Sequence, residues 1–186
     1  MSRLTIPATI EASPEASRPL LEAVSKQLGS APNLFRMVGL SPAGLEGYLG
    51  LSGALGRGRL DHRTRARLAM TVAELNGCEY CLSAHTHLGR NLARLDDAEL
   101  TANRDARSSD PMAEAALRFA AKVVNARGHV TDADVREVKA AGYDDAQVVE
   151  IVLHVALNTL TNCVNTALGT DVDFASVKPH AAAKAA

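Results

Sequence analysis

The chain is predicted to be all-α, a helix bundle, on three observations. Apolar residues recur at helical spacing through most of its 186 residues, alternating strand patterns are nearly absent, and the breaks between periodic segments carry helix caps and stops. With aromatics at 3% and no Trp, the core must be Ala, Leu and Val, small side chains that suit closely approaching helices.

Leu20, Leu21, Val24 and Leu28 define a helix over 17–28, and Gly29 can end it. Pro32 begins a turn, and Leu34, Phe35, Met37, Val38 and Leu40 form a short helix stopped near Pro42. A third helix covers about 43–55 and ends in Gly56-Arg57-Gly58. Asp61 is a good N-cap for a helix over 62–75, and Asn76-Gly77 signals a turn. The next helix runs from about 78 to 90, and Asp96-Asp97 opens a short one to about 103. Asp110-Pro111 places a cap and a first-turn proline before 111–126, which Gly128 ends. Thr131 and Asp134 resemble a capping box, with Asp for the usual Glu or Gln, opening a helix that ends near Gly142. The last long helix spans about 145–168, and the Ala-rich tail after Pro179 reads as frayed.

The organisation expected is one domain over 1–186, with a core of about 17–175 between an N-terminal arm and a C-terminal tail. Net charge is −1 with acids and bases mixed, so no basic stripe points to nucleic acid. Met1–Ser13 has no apolar leader region, and no apolar stretch is expected to approach the roughly 18 to 20 residues of a membrane span. A cytoplasmic protein with no membrane contact is the expectation.

Three cysteines are too few for a disulfide scaffold, and in a reducing compartment a close pair points to redox or metal chemistry. Cys78, Cys81 and His85 fall within about 60° of one another on a helix. Cys81 and His85 are about 6 Å apart along the axis and Cys78 and His85 about 10 Å, so His85 can serve Cys81 directly. The Asn76-Gly77 break puts both thiols near a helix N-terminus, Cys78 closest, where ionisation is favoured. Attack of Cys81 on a peroxide oxygen would give a sulfenic acid, and Cys78 could condense with it to a disulfide that an external thiol or dithiol reductant resets.

Glu74 is a candidate to orient His85, provided the chain turns at Asn76-Gly77 and helix 62–75 packs beside the cysteine helix. Glu150 is the other candidate acid. It belongs to a polar stripe, Glu150, His154, Asn158, Asn162 and Asn165, on an otherwise apolar helix. The stripe has two readings, a subunit contact or a wall of the thiol site, which makes Asn158 a supporting residue. Tyr80 either packs over the thiol pair or meets substrate, packing being the simpler role. A zinc site of Cys78, Cys81, His85 and Cys163 competes, but ligands on one short helix rarely surround a metal tetrahedrally. Cys163 otherwise reads as a small buried hydrophobe, and His62, His87, His129 and His180 as surface groups. Arg57, Arg59, Arg63, Arg65 and Arg67 read as a solvated or intersubunit face.

The run Ala73-Glu74-Leu75-Asn76-Gly77-Cys78-Glu79-Tyr80-Cys81-Leu82-Ser83-Ala84-His85-Thr86, with Leu28-Gly29, Pro32-Asn33-Leu34-Phe35 and Glu150 through Asn165, resembles the carboxymuconolactone decarboxylase-like superfamily. Its AhpD-like alkylhydroperoxidase branch, often described as peroxidase-related, is the most similar, over roughly residues 20 to 175. The resemblance implies an AhpD-like helical fold assembling as trimers or hexamers, and a peroxidase needing no bound cofactor. It also implies that Cys81 is the peroxide-reactive thiol, Cys78 the proton donor and resolving partner, and His85 part of a proton relay. The relay glutamate expected about three turns before the first cysteine is absent: the sequence reads Arg65-Ala66-Arg67. The decarboxylase branch is not marked by a redox-capable cysteine pair.

Overall fold

The computed structural model describes residues 2–180, which form nine α-helices and no strand. A 3-10 turn (Glu15–Ser17) leads into α1 (Arg18–Leu28), α2 (Asn33–Val38), α3 (Pro42–Gly56), α4 (His62–Leu75), α5 (Glu79–Asn91), α6 (Asp97–Arg104), α7 (Pro111–Asn125), α8 (Asp132–Ala140) and α9 (Asp145–Leu168).

The caps set these boundaries. Asp61 accepts from the Arg63 and Thr64 amides, Asp96 from Glu99 and Asp110 from Met112 and Ala113. Thr131 and Asp134 complete a reciprocal capping box, so the shorter carboxylate does the work of the usual Glu. Asp144 and Gln147 make a second box that the sequence reading did not single out. The second helix stops at Val38 rather than running to Leu40, because Ser41 turns extended to cap α3.

The hub of the bundle is α4, which packs against α5, α6, α7 and α9. One face of it, through Leu68 and Val72, joins Leu117, Phe119 and Val123 of α7 and Ile151 and Val155 of α9 in the larger core. The other face carries Met70 and Ala73 into a second apolar cluster that contains Cys78, Tyr80, Cys81 and Leu82. The thiols are therefore built into a core, not hung on a loop.

The arginine run is not one solvated face. Arg67 is 5% exposed and its Nε donates to Glu99 Oε1 at 2.7 Å. Glu99 also accepts from Asn103, Ser108 and Ser109, so this buried ion pair ties α4 to α6 and to the loop before α7. Hydrogen bonds to every side of the carboxylate offset its desolvation and hold its pKa down, to about 2.

By length and apolarity alone α9 would suffice to cross a membrane, contrary to the expectation that no stretch does. In the fold it is a bundle helix packed on α3, α4, α5 and α7, with its asparagines and His154 facing inward. After α9 the chain returns over the thiol helix as a strap. The amide of Asn33 donates to Asp173, that of Val177 to Ser83 Oγ, Ser176 Oγ to Glu79 and Arg104 to the Lys178 carbonyl. The frayed tail expected after Pro179 lies mostly outside the described residues; His180 is held, its amide donating to Glu74 Oε1 at 2.7 Å.

Candidate active site

The turn between α4 and α5 explains the thiol geometry. Gly77 adopts φ +62°, a left-handed conformation that suits glycine, and the Cys78 amide then reaches back to the Ala73 carbonyl at 3.0 Å. Cys78 becomes the N-cap of α5, extended at φ −88° and ψ 97°, with its Sγ accepting from the Cys81 amide at 3.3 Å. A cysteine thus occupies the position where Ser, Thr, Asp or Asn would normally receive that amide. The helix dipole and this hydrogen bond both favour a negative sulfur at Cys78.

The two thiols are 2% and 3% exposed and hydrogen-bond each other. The bond from the Cys81 thiol is the largest influence lowering the Cys78 pKa, with backbone amides adding to it against the effect of burial. Cys81 is pushed up, first by the same bond and then by burial and the neighbouring Cys78 charge. Of the reduced pair, Cys78 is therefore the thiol that ionises first and Cys81 the one that keeps its proton, whereas the sequence had suggested that the dipole favours ionisation of both.

The second wall of the site is α9. Asn165 Nδ2 donates to Cys81 Sγ at 3.3 Å, and Asn162 Oδ1 accepts from Asn76 Nδ2 at 2.8 Å, fixing the turn that sets the thiols. Asn158 donates to the carbonyl of His154 in its own helix. Of the two readings of the stripe, its inner members serve the thiol site. His154 is 6% exposed, and among the described residues its buried Nε2 has no hydrogen-bond partner.

Neither candidate acid reaches His85. Glu74 receives Arg104 Nε at 2.6 Å on one oxygen and the His180 amide on the other, so it clamps α6 and the strap. Glu150 accepts the Arg59 amide at 2.8 Å and the Leu60 amide at 2.9 Å, holding the loop before α4. A Cβ at Gly58 would sit 2.6 Å from that carboxylate, so the loop closes on Glu150 only with glycine there. Ala66 lines the cavity without a carboxylate to offer. His85 lines it too, one turn beyond Cys81, and burial depresses its pKa to about 4, leaving a neutral imidazole at pH 7.

The cavity measures about 670 Å³. Cys81 opens on it and Cys78 does not. Leu34, Phe35, Leu88 and Leu157 give it an apolar lining, and Tyr48, His62, Arg65, His154, Asn158 and Thr161 line it as well. Tyr80 packs as expected, its hydroxyl accepting from the Leu34 amide at 3.0 Å and its ring set edge-on to Phe174, while also contributing to the cavity wall. Asp173 is the one acid among the lining residues, and its carboxylate is engaged by Asn33.

Tyr48, Arg65 and His154 were not singled out for the site by the sequence. His154 stood on the stripe and Arg65 in the arginine run, but only packing turns them toward a common space. Tyr48 gave no signal beyond being an aromatic residue in a chain with few. His87 is exposed, yet it stacks on Phe174 at the cavity edge. Cys163 is exposed on the outer face of α9, not buried, and does not join Cys78, Cys81 and His85. Among the described residues no three His, Cys, Asp or Glu side chains converge as metal ligands.

Residues 42–122 match the model of the carboxymuconolactone decarboxylase family. No curated protein sequence matches it. Its fold is AhpD-like: a structure of an alkylhydroperoxidase AhpD core, an uncharacterized peroxidase-related protein from Ralstonia eutropha JMP134, superimposes with a TM-score of 0.83 at 24% identity, covering 92% of each chain. A peroxidase-related protein from Silicibacter sp. TM1040 gives 0.79 at 24% identity over 91% of each chain. The debrominase Bmp8, as a cysteine-to-alanine variant in complex with 2,3,4-tribromopyrrole, gives 0.77 at 21% identity over 93% of this chain and 94% of its own.

Proposed function

We propose that this chain is a member of the carboxymuconolactone decarboxylase family, whose model matches residues 42–122, and that it is a thiol-dependent peroxidase. It reduces organic hydroperoxides or hydrogen peroxide through a Cys78–Cys81 dithiol/disulfide cycle. The observation that carries this reading is the division of labour in the pair: Cys81 faces the cavity, and Cys78, capping α5, is the more easily ionised thiol, whose thiolate can take the Cys81 proton.

Cys81 attacks the terminal peroxide oxygen while its proton moves to Cys78. The O–O bond breaks with its electron pair leaving on the alkoxide, and Cys81 becomes a sulfenic acid. The alkoxide takes the proton from Cys78, directly or through the neutral imidazole of His85, which can accept one proton and release another. The restored Cys78 thiolate then displaces hydroxide from the Cys81 sulfur. One thiol, one thiolate and one hydroperoxide thus give one disulfide, one alcohol and one hydroxide. An external thiol or dithiol restores the pair by exchange, and no bound cofactor takes part. The peroxidase-related names of two structural neighbours are in keeping with this reading. The chain is taken to work as a homo-oligomer, for which the exposed apolar face of α9 speaks.

The test mixes reduced protein with cumene hydroperoxide or hydrogen peroxide and counts free thiols. Wild type should lose two thiols per chain, Cys81→Ser none, and Cys78→Ser one. Loss at the wild-type rate in Cys81→Ser would remove the proposal.

A further inference from the structure

The thiols occupy one end of the cavity, and a different chemistry occupies the other. On α9, His154 lies about 12 Å along the axis from Asn162 and about 16 Å from Asn165, which touches Cys81. On α4, Arg65 lies about 12 Å from Ala73, whose carbonyl anchors Cys78. Both helices therefore place Arg65 and His154 together, well away from the sulfurs; burial depresses His154, and the charge of Arg65 is near enough to add to it against that of Glu150.

Arg65 is anchored there. Its Nη1 donates to the Gly56 carbonyl at 2.8 Å and the Leu60 carbonyl at 3.1 Å, with the Leu55 carbonyl at 3.5 Å, and among the described residues Nε and Nη2 have no protein acceptor. Glu150, whose charge acts on His154, has its carboxylate taken by the Arg59 and Leu60 amides and does not line the cavity. A fixed guanidinium with spare donors, beside a buried imidazole whose Nε2 has no partner, is a site for an anion. Leu88, Leu157 and Phe35 line the same cavity and give it apolar wall.

We propose that Arg65 and His154 form an anion-binding subsite at the end of the cavity remote from Cys81. The preferred substrates are then organic hydroperoxides that carry a carboxylate at the far end of an apolar chain. That the reacting group is a hydroperoxide rests on the peroxidase reading; the anion subsite does not.

The experiment compares ω-hydroperoxydecanoate with its methyl ester as substrates, and decanoate with methyl decanoate as non-reacting ligands. Wild type should favour the acid by about tenfold or more in kcat/KM, mostly through KM, as expected for one charge-assisted pair. Arg65→Gln should abolish the preference, Arg65→Lys should keep part of it, and decanoate binding should weaken about tenfold in Arg65→Gln. Because Arg65 also holds the end of α3, His154→Leu, which leaves that cap intact, is the second variant and should weaken decanoate binding too.

Equal turnover of acid and ester by wild type, with decanoate binding indifferent to both variants, would overturn the subsite and leave the peroxidase reading standing. Arg65-dependent binding of decanoate without thiol loss to either hydroperoxide would support the subsite and overturn the peroxidase reading instead.

Discussion

With a cysteine at the N-cap of α5, the group that caps the helix is also the group that ionises. Cys78→Ser keeps an acceptor for the Cys81 amide, while Cys78→Ala removes it. The alanine variant should therefore be less stable than the serine variant by about 1 kcal/mol in denaturant unfolding. The buried histidines share the linkage sign of a paired acid, a pKa lower in the folded chain than in the unfolded one. His85 and His154 are held neutral in the fold with pKa values near 4, against 6.5 in the unfolded chain. Between those values the unfolded state binds the protons that the folded state refuses, so stability falls as pH drops from 6.5 to 4. Glu99, with its pKa near 2, loses its contribution only at lower pH. Thermal midpoints across that window should fall on acidification in wild type and fall less in His154→Gln. An unchanged slope in the variant would contradict the assignment of His154 as a buried neutral group.

Among the elements, the strap after α9 and the acids that hold it matter more for architecture than for proton transfer. Glu74 joins Arg104 to the His180 amide, so Glu74→Gln should lower stability by about 2 kcal/mol and speed proteolysis between 171 and 180. Hydroperoxide-dependent thiol loss should stay at the wild-type rate; a large fall in that rate would restore Glu74 to the relay. This is also where the limits of the sequence are physical. Asp61, Asp96, Asp110 and Thr131 announced their helices because a cap is satisfied within three residues. Cys78, Cys81 and His85 could be grouped because they begin and follow one helix. Which acid meets which base depends on how α4, α6 and the strap pack, and no local spacing encodes that. The same reason hid Asn165 as the partner of Cys81 and Arg65 as a cavity residue, although each lay in a pattern that was visible.

For the molecule as a whole, the outer face of α9 stands out. Val149, Val152, Leu153 and Leu160 are exposed at helical spacing, with Cys163 beyond them. The neighbouring α3 exposes Gly47, Gly50, Leu51 and Ala54, small enough for another helix to approach closely. Self-association through this face is the expected arrangement, and Val152→Glu with Leu160→Glu should reduce the mass seen by light scattering toward that of one chain. An unchanged mass would place the contact elsewhere. The same fold puts this exposed apolar face and the thiol site on opposite sides of one helix, with the inward Asn165 at the Cys81 sulfur. The most direct measurement of the central claim is to oxidise Cys78→Ser with one equivalent of cumene hydroperoxide, trap sulfenic acid with dimedone and map the adduct by mass spectrometry. The account expects a single adduct on Cys81 with one equivalent of cumyl alcohol released. No adduct on Cys81, or alcohol formed at the same rate when Cys81 is also replaced by serine, would contradict it.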